Sequence, residues 1–305
     1  MIERPRAGTA PLHLLLLVIM GSFWGLQFTM LKLAAANGFG ESEILSVSLL
    51  VIAVVFVCLV MVQGKAFRPR PGHVLYFMIG SFLGYILPLG LAIYISQNLS
   101  AGLLAFMGSL SPILTIAFAT LFRTEKISKV RVLAMALGTG AALAIFWPEL
   151  TAAQSDLLPW LVLALIIPAA YALDAIYIGA FWPPELESLQ VVAGEATTAT
   201  LMMLPFYLLF GDSAGLAHSW SPGHWGVAVF TLCGIVEVML FFYLVRHAGA
   251  VLVSFGSLIA LLAGIGWGIV IFSEAHGAEL WIAAGLLAAA LTAVGFDKKR
   301  GSENG

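Results

Sequence analysis

The stretch LFRTEKIS, residues 121–128, closes one long apolar run, and IFSEAHG, residues 271–277, closes another. Glu125 and Glu274 stand 149 positions apart, and so do Tyr94 and Tyr243. PGH opens a run at residues 71–73 and again at 222–224. FMGSLSPIL, from residue 106, is answered by FGSLIALLAG, from residue 255. The chain therefore reads as a duplication, with residues 1–150 as the first copy, 151–297 as the second, and 298–305 as a polar tail.

A helix of about 20 apolar residues crosses a bilayer. Such runs lie at about 12–35, 44–63, 74–96, 99–122, 130–147, 158–181, 188–210, 224–246, 249–272 and 279–296. Each copy holds five. An odd number makes the second copy enter from the opposite face, which is the inverted-topology repeat of secondary transporters. The expected fold is an all-α integral membrane protein of ten transmembrane helices, built as two inverted five-helix repeats. Its site is expected near the midplane between the halves.

Composition excludes a soluble domain. The 305 residues are 61% apolar and only 10% charged, with mean hydropathy +1.02, where soluble domains hold about 25% charged residues. Cys58 and Cys233 both fall in apolar runs, with neither disulfide nor metal spacing. No cofactor and no metal is expected. The partners are membrane lipid and a small molecule, with no nucleic acid, and the oligomeric state is left open. The first run follows Arg4 and Arg6 like a signal peptide, but it is too long for one and the repeat needs it.

Charge sets the expected orientation. With a cytoplasmic N-terminus, 13 of the 14 Lys and Arg residues fall in cytoplasmic segments. The opposite loops hold Glu41, Glu43, Glu149, Asp156, Asp212 and Glu279, and no basic residue. Basic residues stay inside during insertion, so both termini are expected in the cytoplasm of a cell, inner or plasma membrane. The exception is Lys32, at the outer end of the first run.

FWGLQFTMLKLA, SLSPILTIAFATLFRTEKIS and the two similar halves resemble the drug/metabolite transporter superfamily, EamA-type. Trp24, Gly25 and Lys32 match its first span, and Pro112 and Glu125 its fourth, although Leu261 stands where the ninth span would repeat Pro112. The resemblance implies a ten-helix exporter of amino acids or other metabolites, and not an enzyme. It also places Lys32 on the substrate pathway, and the repeat-related Tyr94 and Tyr243 are further pathway candidates.

Trp24 and Gln27 are three apart on the first run, as are Tyr171 and Asp174 on the sixth, at an offset of 147. Residues three apart share a helix face. Each copy thus offers a ring and a hydrogen-bonding group near the midplane, and Tyr177 extends the second stripe. The bland reading is packing and interhelical hydrogen bonding.

Glu237, in LCGIVEVMLFFYLV (residues 232–245), lies about 13 residues into the eighth run, some 20 Å deep. A carboxylate in hydrocarbon is costly unless paired, hydrated or protonated. Asp174 enters to a similar depth, and Glu195 reaches a nearby level from the other side. The substrate-binding candidates are therefore Trp24, Gln27, Tyr171, Asp174, Tyr177 and Glu237, and the proton-coupling candidates are Glu237, Asp174 and Glu195. Glu195 also reads as snorkelling to the cytoplasmic face, Asp174 as a helix cap, and Lys32 as snorkelling outward. Pro88, at the position matching Glu237, and Pro112 are expected helix kinks.

Acidic depth with no deep Arg or Lys argues against phosphorylated cargo. It favours a neutral, zwitterionic or cationic metabolite, amino-acid-like, exported by alternating access. A drug or nucleoside exporter of the same fold is the alternative. From another class, an intramembrane serine protease would need a Ser–His pair at depth. All six histidines (His13, His73, His218, His224, His247 and His276) lie in loops or at span ends.

Overall fold

The computed structural model describes residues 10–64, 69–95, 98–99, 101–152, 157–211, 219–273, 281–282, 284–290 and 292–293. Among them every regular element is a helix. The first half holds α1 (Ala10–Ala35), α2 (Glu41–Val62), α3 (Pro71–Ser81), a π turn over Phe82–Ile86, α4 (Leu87–Ile95), α5 (Ala101–Gly108), α6 (Ser111–Leu121) and α7 (Lys129–Ala152). The second holds α8 (Leu158–Ala164), α9 (Ile166–Phe181), α10 (Ser188–Phe210), α11 (Pro222–Ala248), α12 (Ala250–Ser254) and α13 (Gly256–Phe272). Glu274, Glu279 and the tail at 298–305 lie outside the described residues.

Seven described helices are long and apolar enough to cross a membrane. They correspond to the expected first, second, third, sixth, seventh, eighth and ninth runs. The fourth differs: it is split into α5 and α6 at Ser109 and Leu110. Pro112 is not a kink inside a helix but sits in the first turn of α6, where its missing N–H leaves nothing unsatisfied. Pro88 does lie inside a continuing helix, directly after the π turn. There the freed hydrogen bond is absorbed by local widening of the helix. The fifth run is α7, with Lys129 and Arg131 in its opening turn. Of the tenth, residues 281–282, 284–290 and 292–293 are helical.

The helices interlace across the sequence halves. α1 packs chiefly on α11 and α13, and α9 on α6, α4 and the π turn. α2 packs on α10, α10 also on α3, and α2 also on α11. Small residues allow the closest approach. A Cβ on Gly25 would stand 2.6 Å from the carbonyl oxygen of Ala260 and from the amide of Gly264. The two backbones therefore touch, and Thr29 Oγ1 donates to the Gly264 carbonyl at 3.3 Å. This fixes the rotation of α1 about its axis.

The repeated PGH is a helix start. Pro71 and Pro222 occupy the first turn, and the histidine two residues on reaches back as an acceptor. The Arg70 N–H donates to His73 Nδ1 at 3.3 Å, and the Ser221 N–H to His224 Nδ1 at 3.1 Å. Each imidazole thereby satisfies a backbone donor at the helix start, as the glutamate of a capping box does.

The loops fall into two sets. At one end, the Phe39 ring lies 4.9 Å from His224, Tyr94 meets Trp160 at 6.0 Å, and Lys32 stands 4.8 Å over Phe272. At the other, Arg70 and His73 meet Glu185, Glu125 meets Arg131 and Val251, and Arg246 lies 4.8 Å over Trp182. With Nδ1 accepting, His73 Nε2 is the protonated nitrogen and donates to Glu185 at 2.8 Å. The Glu185 carboxyl is held below the usual range, first by its own backbone N–H, then by His73 and Arg70.

Candidate functional site

Three interruptions in the helices border one cavity of about 550 Å³. Gly84 and Tyr85 enter it from the π turn, Ser109 and Ser111 from the α5–α6 break, and Ser254 and Ser257 from the α12–α13 junction at Phe255. Irregular backbone at membrane depth persists only where its polar groups find partners or line a cavity. Here the hydroxyls supply the partners. Ser109 Oγ donates to the Phe106 carbonyl at 2.6 Å, Ser254 Oγ to Val251 at 2.9 Å, and Ser257 Oγ to Ser254 at 2.9 Å. Thr115 Oγ1 donates to Ser111 at 2.8 Å. The repeated GSL, residues 108–110 and 256–258, is thus the chemistry of two breaks. It was the available signal for Ser109 and Ser257, which sequence reasoning did not place at a site. Nothing in the sequence singled out Tyr85.

Five of the six candidate binding residues line this cavity: Trp24, Gln27, Tyr171, Asp174 and Glu237. Glu195 lines it as well. The backbone contact at Gly25 turns the neighbouring Trp24 and Gln27 toward the opening. The Trp24 and Tyr171 rings meet edge to face, 6.0 Å apart at 81°, and Phe28 stacks with Trp24 at 6.5 Å. Gln27 lies against Gly234, its Oε1 3.6 Å from where a Cβ would stand, and its Nε2 is buried without a protein partner. Gly234 is one turn before Glu237 on α11, so the amide and the carboxylate belong to one wall.

Asp174 and Glu195 are seated by glycines on the facing helix. A Cβ on Gly84 would come within 2.9 Å of Asp174 Oδ2, and one on Gly80 within 2.8 Å of Glu195 Oε1. Gly80 and Gly84 are four residues apart, so the two carboxylates sit one turn from each other along α3 and the π turn. Asp174 is 4% exposed and Glu195 1%. Asp174 Oδ1 and both Glu195 carboxylate oxygens have no hydrogen-bond partner. Glu195 therefore does not snorkel, and Asp174 sits in the interior of α9 and caps no helix end.

The remaining candidates stand elsewhere. Tyr177 stacks between Tyr76 at 5.3 Å and Phe181 at 5.2 Å, outside the cavity. Tyr94 is 60% exposed. Tyr243 stacks on His247 at 4.3 Å, and Lys32 lies over Phe272 near the helix ends. None of these lines the cavity, nor do Pro88 and Pro112.

Residues 12–147 match the model of the EamA-like transporter family. A solved crystal structure, titled only as that of a protein, superposes with a TM-score of 0.76 at 15% identity. The match covers 93% of this chain and 98% of that one, and shows a shared fold. A comparison with proteins of curated function finds no match.

Proposed function

From the EamA-like match of residues 12–147, a family of membrane transporters of small metabolites, we propose that the chain is a secondary transporter working by alternating access. The cavity carries the proposal. It opens between elements of both sequence halves, and an aromatic pair, a buried unpartnered amide and a deep carboxylate face it together. Trp24 and Tyr171 hold a flat or apolar group, Gln27 donates through Nε2, and Glu237 takes a cationic amine. An amino-acid-like zwitterion or a small cation satisfies all three; an apolar wall and acidic groups suit phosphorylated cargo poorly.

The packing supports two inverted repeats of five helices. Exchanging each span for its counterpart turns the α1–α13 contact into α9–α6, and the α2–α11 contact into α10–α3, while α2–α10 maps onto itself. The basic residues Arg70, Arg131 and Arg246 share one end of the helices, which supports cytoplasmic termini in a plasma or inner membrane. Export is the direction this reading assigns.

Flux from proteoliposomes loaded with radiolabelled amino acids tests it. Efflux above empty-liposome background, reduced in Trp24→Ala and Glu237→Gln, is the expected result. No efflux of any amino acid, with efflux of nucleosides or cationic drugs instead, would move the cargo to the alternative class.

A further inference from the structure

We propose that Asp174 and Glu195 form a separate proton-binding pair on the wall of the cavity, distinct from the substrate contact at Glu237. This deepens the transporter reading and rests on it only for its role in coupling. The two carboxylates come from different helices, α9 and α10, and converge on one face of a third. Gly80 and Gly84 leave no room there for any side chain of their own. Ser81, between them in sequence, donates to the main-chain carbonyl of Glu195 at 2.9 Å and fixes the register of α3 against α10. The seat is thus built to bring buried acids against bare backbone.

Among the described residues no countercharge reaches them. The titratable groups facing the pair are Tyr76 and Tyr85 from α3 and the π turn, Tyr171 and Tyr177 from α9, and Glu237 from α11. α2, packed on α10, brings Ser48 and Leu49 to the cavity and no charge. His73, earlier on α3, is engaged by Glu185. Among the described residues no Lys, Arg or His pairs with either acid. Two buried like charges with unpartnered oxygens are the costliest arrangement, so the pair retains at least one proton.

A sodium ion fits less well. It needs several oxygen ligands, whereas both Glu195 oxygens lie against Gly80, and no three acidic, His or Cys groups meet among the described residues. A proton needs no such shell. Because both acids line the cavity, the proton exchanges with the compartment to which the cavity opens.

The test is an infrared pH titration of the purified protein in lipid, with no substrate, which separates it from the flux assay. A protonated-carboxyl band that responds to pH is expected in wild type and in Glu237→Gln, and is expected to vanish when Asp174→Asn and Glu195→Gln are combined with Glu237→Gln. Gly84→Ala keeps both acids and is expected to shift the titration midpoint, which covers a triple variant that fails to fold. A band lost in Glu237→Gln, a midpoint unmoved in Gly84→Ala, or a band that responds to sodium at constant pH would each overturn the proposal.

Discussion

Glu125 Oε1 accepts a hydrogen bond from the backbone N–H of Val251 at 3.1 Å, across 126 residues of sequence. Its other oxygen accepts from Arg131 at 3.2 Å. The carboxylate also covers Gly249, whose φ of 92° is open to glycine alone at little cost. The residue that closes the fourth span therefore caps the first turn of α12 in the other half.

Removing that cap is expected to destabilise the protein by about 1 kcal/mol in Glu125→Ala. Gly249→Ala is expected to cost more, because it adds backbone strain and a Cβ 2.8 Å from Glu125. Thermal unfolding of the purified protein in detergent measures both. Equal melting temperatures for wild type and Glu125→Ala would show that the contact contributes nothing.

The contact of α1 with α13 gives a sharper contrast. Gly25→Ala sets a methyl against backbone atoms that have no rotamer to yield, and a cost of about 1–3 kcal/mol is expected. Gly266, two residues past Gly264 on α13 and so turned away from that contact, has nothing within 4 Å of its missing Cβ. Gly266→Ala is expected to be neutral or slightly stabilising. The yield of monodisperse protein and its melting temperature distinguish the two.

Substrate affinity is expected to fall roughly tenfold in Trp24→Ala and in Tyr171→Ala, since each loses an aromatic face worth about 1 kcal/mol or more. Because the rings touch at 6.0 Å, the double variant is expected to lose less than the sum. Tryptophan-independent binding, by calorimetry on the reconstituted protein, reads this directly. Unchanged affinity in both single variants would place the substrate elsewhere.

The Glu185 contacts carry a pH signature. Its carboxyl is held below the usual range by its own backbone N–H, then by His73 and Arg70. A depressed acid contributes stability above its unfolded value and loses it as pH falls through the lower folded value. The stability difference between wild type and Glu185→Gln is therefore expected to be constant above about pH 5 and to close only below the ordinary carboxylate range. Melting curves from about pH 2.5 to 7 check it. A difference that already closes above pH 5 would show that the Glu185 carboxylate is not its source.

The sequence made the long helices legible because a span is a matter of length and hydropathy, and the stripe of Trp24 and Gln27 followed from a three-residue spacing. Breaks were harder. Proline suggested kinks at Pro88 and Pro112, yet Pro112 begins a helix and the distortion near Pro88 lies upstream in the π turn. Hydropathy does not register a break whose carbonyls are satisfied by serine hydroxyls, as at Ser109 and Ser254. Tyr177 shared its periodicity with Tyr171 and Asp174, but periodicity cannot distinguish a cavity from a neighbouring stack of rings. Glu195 looked near enough to the surface to reach it; only the facing Gly80 shows why it turns inward.

The pairing of α1 with α11 and α13 bears on how the chain is made. α1 ends at Ala35 and its partners begin at Pro222. At ribosomal speeds of roughly 5–20 residues per second, the first helix waits on the order of ten to forty seconds for them. Through that interval Gln27, Thr29 and the bare backbone at Gly25 face lipid or whatever the insertion machinery offers. The face that later packs on α13, and at Gln27 walls the cavity, is thus uncovered through that interval, and a substitution at Gly25 or Thr29 can reduce the yield of protein without altering what the finished molecule moves.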